Sequence, residues 1–175
     1  MKKLIVLLVS VMVVATFALT GCGSNNAAQL NQVGTSVDGN EVAIEKSAIR
    51  LGEAVAEGGY QLVDTETLNS WVADGKQMIV VDTMPADSFA KGHIPNAVNI
   101  ELPKKAADLT ADQKDAFLAA LGADKDATVV IYCGFVACER SHVGATIAKE
   151  AGFNNVYRYP GGIVAWQNAG YEVQK

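Results

Sequence analysis

From Tyr60 onward, short runs of apolar and β-branched residues alternate with segments of helical periodicity, and this alternation restricts the fold more than any other feature. Strands that alternate with helices predict a parallel sheet with helices on both faces, because parallel strands need long crossover connections. Ligands of such sheets bind beyond the carboxyl ends of the strands. The predicted strands are 61–63, 78–82, 97–100, 128–132 and 156–159, and the predicted helices are 64–73, 85–90, 110–121, 141–151 and a last one from 161–162 to near 170.

The predicted strand at 128–132 runs directly into Cys133, and a compact loop separates this cysteine from Arg140 and Ser141 at a predicted helix start. A thiol placed there faces unpaired backbone N–H groups and the positive end of a helix dipole. Such surroundings lower the pKa of a thiol and favour the reactive thiolate. The alternative is a buried cysteine that only packs at a strand end. Arg140 and Ser141 favour the reactive thiol.

The first residues have the organisation of an export signal. Lysines at positions 2 and 3 precede an apolar stretch over 4–19, which is short for a membrane span and fits the core of a signal peptide. Leu19-Thr20-Gly21-Cys22 then resembles the lipobox of bacterial lipoproteins. This resemblance implies that 1–21 are removed and that Cys22 is lipidated, which places the protein on a bacterial cell membrane or outer membrane, facing the periplasm or the outer surface. The alternative is an uncleaved anchor with an incidental cysteine.

The part of the chain after Cys22 divides into three predicted regions. Residues 22–40 are rich in Gly, Ser, Asn, Gln and Ala and predict a flexible tether. Residues 41–59 show apolar side chains at helical spacing and end in a glycine pair, so they predict an amphipathic helix packed on the domain. A partner-binding helix is the alternative for this segment. Residues 60–175 form the predicted α/β domain. The apolar positions of the helix are Ile44, Ala48, Leu51 and Val55.

Charge and cysteine content narrow the classes of partner. The formal net charge is −5 and no basic patch is evident, so nucleic acid is not an expected partner. Besides Cys22, the chain has only Cys133 and Cys138, which in an oxidising compartment suggests a disulfide. The two histidines and these two cysteines have no metal-ligand spacing, and we expect neither a metal nor a cofactor.

Three groups of residues follow one another in order along 60–173. They are Val80-Val81-Asp82 with Phe89 and Gly92-His93-Ile94-Pro95-Asn96-Ala97-Val98-Asn99-Ile100; Tyr132-Cys133 with Arg140-Ser141; and Tyr159-Pro160-Gly161-Gly162-Ile163 with Trp166, Ala169, Gly170, Tyr171 and Val173. They resemble the amino-terminal, active-site and carboxyl-terminal signatures of the rhodanese family. The resemblance implies a three-layer α/β domain with a mainly parallel five-stranded sheet and helices on both faces.

The resemblance also implies a sulfurtransferase. Cys133 would take sulfane sulfur as a persulfide from a small donor such as thiosulfate and pass it to a thiol acceptor. Arg140 would bind the anionic donor, since its guanidinium fork suits oxyanions. Backbone N–H groups of the loop would stabilise the thiolate and the persulfide. The remaining loop positions implied in substrate binding are Gly134, Phe135, Val136, Ala137, Cys138, Glu139 and Ser141.

Other polar residues near the predicted site have simpler interpretations. Asp82 and His93 are expected to support the site by fixing a loop and a turn rather than to catalyse. Ser141 is expected to cap the helix, with a hydrogen bond to the loop as the alternative. His142, next to the loop, is a lesser candidate for ligand contact. Gly161 and Gly162 predict a tight turn into the last helix.

The loop departs from the family pattern, which leaves alternatives open. Arg140 lies seven positions after Cys133, later than is usual, and the loop between them is apolar. The residue after Asp82-Thr83 is Met84, where relatives often have an arginine. The first alternative to a monomeric sulfurtransferase is a thiol–disulfide or sulfur-sensing protein that uses Cys133 and Cys138 as a redox pair. The second is a non-catalytic domain that binds an anion or a partner, and a phosphatase or arsenate reductase is a weaker third.

Overall fold

The computed structural model describes residues 40–175. The predicted signal peptide at 1–21, the lipidation site Cys22 and the tether up to residue 39 lie outside the described residues. The α-helices are α1 (Glu41–Gly58), α2 (Thr65–Ala73), α3 (Ala86–Phe89), α4 (Ala111–Leu121), α5 (Arg140–Glu150) and α6 (Gly162–Asn168), with a 3₁₀ turn at Ala106–Asp108. The strands are β1 (Gln61–Leu62), β2 (Ile79–Asp82), β3 (Val98–Asn99), β4 (Thr128–Tyr132) and β5 (Asn155–Tyr159).

The five strands form one sheet in the order β1-β5-β4-β2-β3, and every pairing is parallel. The central strand β4 pairs with β2 on one side, Val81 opposite Ile131, and with β5 on the other, Tyr132 opposite Tyr159. The prediction of an α/β domain with a five-stranded parallel sheet is therefore confirmed.

Alternate residues of the strands point into two separate apolar cores, as the two-residue period of a strand requires. One core joins Val129 and Ile131 of β4 to Phe117 of α4 and Ile147 of α5. The other joins the intervening β4 residues to α2 and α6, through residues that include Val130, Tyr132, Leu68 and Trp166. Helices thus cover both faces of the sheet, as predicted.

Most of the predicted elements are present with bounds that shift by one or two residues. The capping box predicted for α4 is present, with Thr110 accepting from the N–H of Gln113 and the Gln113 side chain accepting from the N–H of Thr110. Helix α5 begins at Arg140, one residue earlier than predicted. The edge strands β1 and β3 pair on one side alone and contain only two residues each.

Helix α1 is present over the predicted segment, but only its C-terminal half packs on the domain. Val55 lies against the core and Gly58 is buried. Ile44 is 58% exposed and Ala48 is also exposed, so the packing predicted for these two residues is wrong. The helix contacts α5, and the residues of its first turns are exposed. Among the described residues, no helix combines the length and the apolar character that a membrane span requires.

Candidate active site

The loop that carries Cys133 connects the C-terminus of β4 to the N-terminus of α5 and rests on a second helix N-terminus. The N–H groups of Ile163 and Val164 in α6 donate to the carbonyl oxygens of Cys133 and Gly134, each at 3.0 Å. Gly162 permits this approach, because a Cβ on it would lie 2.4 Å from the Cys133 carbonyl oxygen and its φ is +62°. The predicted turn at Gly161-Gly162 is therefore also the support of the cysteine loop.

The Cys133 thiol is buried beneath this loop, with 1% of the residue exposed. Its Sγ donates to the carbonyl oxygen of Cys138 at 3.1 Å and lies 3.2 Å from Oγ of Ser141. Burial raises the pKa of Cys133 well above the usual thiol value, while the hydroxyl and the N–H of Ser141 act in the opposite direction. Cys133 therefore rests as a neutral thiol beside groups that can stabilise an anion.

Cys138 carries the negative charge of this pair. The neighbouring Cys133 side chain is the main reason why the pKa of the Cys138 thiol is lowered to about 5. The N–H groups of Gly134 and Arg140 and the positive charge of Arg140 lower that pKa further. Both cysteines are free thiols, so the disulfide suggested by the sequence is not formed in this state. The two sulfurs share one proton, which stays on the more buried Cys133.

Arg158 of β5 connects the site residues through buried hydrogen bonds, and it was not among the residues predicted from the sequence. The residue is 2% exposed, and its guanidinium donates to Oγ of Ser141 at 3.0 Å, to the carbonyl oxygen of Cys138 at 3.0 Å and to the hydroxyl of Tyr60 at 3.2 Å. A signal was present in the sequence, because a charged residue in a strand covered on both faces needs buried partners.

Ser141 serves this network rather than the helix cap. It is fully buried in the first turn of α5, between Cys133 and Arg158. The N-cap position is occupied by Glu139, whose side chain makes no capping hydrogen bond. The capping role predicted for Ser141 is therefore wrong, because the buried guanidinium of Arg158 takes its hydroxyl as an acceptor.

Arg140 lies at the mouth of the site. Its guanidinium donates to the carbonyl oxygen of Leu102 and lies 3.8 Å from a carboxylate oxygen of Glu101. An open cavity of about 420 Å³ adjoins it. Cys138 lines this cavity, whereas Cys133 lies behind the loop. The other cavity-lining residues are Arg50, Met84, Pro85, Lys104, Lys105, Phe135, Ala137 and Glu139.

The apolar loop residues divide between this cavity and the surface. Phe135 is 53% exposed and Val136 is also exposed, whereas Cys138 is buried, with 8% of the residue exposed. The N–H of Cys138 donates to the carbonyl oxygen of Phe135 at 2.8 Å, which curls the loop into a turn. Both apolar and cationic side chains therefore line the cavity.

Asp82 and His93 lie at neighbouring parts of the same sheet edge. The carboxylate of Asp82 accepts from the N–H of Met84 at 2.8 Å and from the hydroxyl of Tyr132, and burial raises its pKa. The ring of His93 lies 3.1 Å from the carbonyl oxygen of Phe89 and stacks on the Phe89 ring. Neither residue lines the cavity beside Cys138.

His142 lies in the first turn of α5 and does not line the cavity. Its Nδ1 is 2.9 Å from the hydroxyl of Tyr60, and its Nε2 is 3.7 Å from a carboxylate oxygen of Glu57. Burial lowers the pKa of His142. Within residues 40–175, no group of three or more His, Cys, Asp or Glu side chains is placed to hold a metal ion.

Comparisons with known proteins agree with this architecture. The family model of the rhodanese-like domain matches residues 64–169. A sulfurtransferase of Allochromatium vinosum is 29% identical over 111 residues, which cover 63% of this chain and 92% of that protein. An HTH-type transcriptional regulator of Mycobacterium tuberculosis is 34% identical over 102 residues, 57% of this chain and 38% of the regulator.

Solved structures with the same fold include a thiosulfate sulfurtransferase from Pseudomonas aeruginosa, with a TM-score of 0.57 and 19% identity over 73% of this chain and 22% of that one. They also include a homodimeric polysulfide-sulfur transferase from Wolinella succinogenes, with a TM-score of 0.53 and 18% identity over 78% of this chain and 91% of that one. These two likenesses concern the fold alone. The match of the family model over more than half of the sequence, with a five-stranded parallel sheet behind it, means that this chain belongs to the rhodanese-like domain family.

Proposed function

We propose that the protein is an exported, lipid-anchored sulfurtransferase that carries sulfane sulfur as a persulfide on Cys133. The observation that carries the proposal is the position of Cys133 at the end of the central strand, with its sulfur 3.2 Å from Oγ of Ser141 at the N-terminus of α5. A helix N-terminus and a hydroxyl donor both stabilise an anion, and the persulfide is an anion. The sulfurtransferase of Allochromatium vinosum supports this assignment at the level of the family.

The first half-reaction begins when Cys133 loses its proton and attacks the outer sulfur of thiosulfate. A sulfur–sulfur bond forms at Cys133, the sulfur–sulfur bond of thiosulfate breaks, and sulfite leaves with the electron pair. In the second half-reaction an acceptor thiolate attacks the outer sulfur of the persulfide, a new sulfur–sulfur bond forms on the acceptor, and Cys133 leaves as a thiolate with the electron pair of the broken bond. Cys133 must ionise for the first step, so the loop that buries it has to open toward the cavity.

The cavity suits an anionic donor of this kind. Arg50, Lys104, Lys105 and Arg140 line it, with Glu139 as the one acidic residue in its wall. A cluster of cations raises the local concentration of small anions and favours their binding. Arg140 is the nearest of these cations to the loop in sequence, and the hydrogen bond that it makes to the carbonyl of Leu102 fixes its position.

The anchor is the part of the proposal that rests on sequence alone. Leu19-Thr20-Gly21-Cys22 after an apolar segment supports lipidation of Cys22 and export of the domain. Several acyl chains on one residue give stable attachment, unlike a single chain. The acceptor in such a compartment would be a small thiol or a protein thiol at the membrane surface.

Steady-state sulfur transfer tests the proposal. With thiosulfate as donor and an excess of a small thiol as acceptor, wild-type protein should produce sulfite at a rate proportional to enzyme concentration. Cys133→Ser should abolish this production, while circular dichroism and the unfolding midpoint stay close to those of the wild type. A Cys133→Ser variant that produces sulfite at the wild-type rate would exclude Cys133 as the sulfur carrier.

A further inference from the structure

The anion-binding part of the loop is already occupied by a side chain of the protein. The N–H groups of Gly134 and Arg140 lower the pKa of the Cys138 thiol, and Cys138 also lines the cavity. Backbone N–H groups that converge on one point favour an anion there. The second thiol of the chain, as a thiolate, therefore lies where the charge of a bound anion would be stabilised.

The two cysteines are also held in place by their backbones. The carbonyl oxygen of Cys133 accepts from the N–H of Ile163, and that of Cys138 accepts from Arg158, both at 3.0 Å. The turn between Phe135 and Cys138 closes the loop. Because the Sγ of Cys133 lies 3.1 Å from the carbonyl oxygen of Cys138, the two residues are in contact across the loop, as a disulfide between them requires.

We propose that Cys138 resolves the Cys133 persulfide, so that the sulfane sulfur leaves as hydrosulfide and a Cys133–Cys138 disulfide remains, which an external thiol then reduces. This inference rests on the proposed function, since it needs the persulfide on Cys133. It adds a second reacting residue, and a second product, to the transfer of sulfur to a thiol acceptor.

The step balances without an oxidant. The Cys138 thiolate attacks the inner sulfur of the persulfide, the Sγ of Cys133, and the outer sulfur departs as hydrosulfide with the electron pair of the broken bond. The sulfane sulfur is reduced and the two cysteines are oxidised to the disulfide. With thiosulfate as donor, the sum converts two thiols and thiosulfate into one disulfide, sulfite, hydrosulfide and a proton.

The geometry favours attack on the inner sulfur and regeneration from the cavity. The Sγ of Cys133 already contacts Cys138, and this Sγ is the atom that the Cys138 thiolate attacks. Cys138 lines the cavity whereas Cys133 lies behind it. An external thiol would therefore reach the Cys138 side of the disulfide, and the cations of the cavity favour an anionic thiol.

A single turnover without added thiol tests this step. Fully reduced protein is mixed with thiosulfate, sulfite and sulfide are both quantified, and the protein is examined by intact mass spectrometry. We expect one equivalent of sulfide for each sulfite, and a protein that has lost two hydrogen atoms. Cys138→Ser should release sulfite without sulfide, so the sulfide-to-sulfite ratio should fall from near one to near zero. Ala119→Ser is the control, since it adds a hydroxyl at an exposed position of α4 that does not line the cavity and keeps both thiols, and its ratio should stay near one.

The outcomes separate this inference from the function on which it rests. Sulfite without sulfide from the wild type, with a persulfide that persists, would overturn the resolution step and leave the sulfurtransferase intact. An unchanged sulfide-to-sulfite ratio in Cys138→Ser would also overturn it. A wild-type protein that releases no sulfite would overturn both proposals together.

Discussion

At the scale of single residues, the site is organised around one negative charge shared by Cys133 and Cys138. Burial favours the neutral form of Cys133, and hydrogen bonds favour the ionised form of Cys138. Interacting thiols titrate as a pair, and the first proton leaves this pair at a pH far below that of an isolated cysteine. The resting site is thus already charged at neutral pH, although the thiol at the strand end is not the one that is charged.

The shared charge predicts a pH-dependent contribution to stability. The pKa of Cys138 is about 5 in the folded protein and the ordinary thiol value is 9.0, so folding releases a proton between these values. The contribution of the Cys138 thiolate is therefore complete above pH 9 and disappears as the pH falls toward 5. Burial raises the pKa of Cys133 above 9.0 in the folded protein, so its thiol stays neutral in the folded state over the same range.

Urea unfolding of reduced wild-type and Cys138→Ser protein at several pH values measures this contribution. The difference in unfolding free energy between the two proteins should grow as the pH is raised from 5 to 9. A difference that is constant over this range would mean that Cys138 is an ordinary neutral thiol in the folded protein.

A second prediction at the residue scale concerns Arg158. Arg158→Lys keeps the charge but has one nitrogen in place of a fork, so some of the acceptors on Ser141, Cys138 and Tyr60 lose their donor. Unsatisfied buried acceptors cost about 1–3 kcal/mol of unfolding free energy. Arg50→Lys is the matched control, because Arg50 is exposed and its ion pair with Glu139 spans 3.7 Å at the surface. Equal unfolding free energies for the two variants would contradict the role given to Arg158.

At the scale of secondary-structure elements, the N-terminus of α6 supports the cysteine loop through the glycine that begins the helix. Gly162→Ala combines a positive φ with a Cβ that would lie 2.4 Å from the carbonyl oxygen of Cys133. Gly59→Ala has the same φ of +62° with no atom near the added Cβ, so it isolates the conformational cost, about 1–2 kcal/mol. We expect Gly162→Ala to lose more stability than Gly59→Ala in urea unfolding and to slow sulfite release. The same loss in both variants would show that the loop does not depend on this contact.

Local sequence patterns predicted the helices and strands because each pattern depends only on residues that are close together in the chain. Alternating strands and helices, the capping box at Thr110 and the glycines at helix ends all act within a few residues. The pattern failed for Ile44 and Ala48, because periodicity shows which residues share a face but not how far the neighbouring surface extends.

At the scale of the whole molecule, the proposed anchor sets where the sulfur chemistry takes place. Cys22→Ser should remove the lipidation site, so the protein should appear in the soluble fraction or persist as an unprocessed precursor. Membrane fractionation and intact mass measure both outcomes. Cys138→Ser is the control, because it removes a cysteine from the domain and should leave the protein with the membranes. Unchanged fractionation and mass in Cys22→Ser would mean that Cys22 is not the anchor.

The candidate site was predictable in its position but not in its contacts. A cysteine between a strand and a helix identifies the sheet edge, since topology brings the strand ends together. The contacts join Tyr60, Ser141 and Arg158, which are far apart in the sequence and meet only once the strands are ordered. No local pattern reports that ordering, so neither the buried guanidinium nor the lowered pKa of Cys138 was expected.

The proposed function requires that Cys133 carry the transferred sulfur, and mass spectrometry can locate that sulfur. Cys138→Ser protein, which lacks the second thiol, is reacted with thiosulfate, freed of small molecules and analysed by intact and peptide mass spectrometry. We expect a gain of one sulfur atom on the peptide that contains Cys133, and no gain in the Cys133→Ser variant treated identically. A sulfur atom retained by Cys133→Ser, or none on Cys133 when sulfite has been released, would contradict the proposed function.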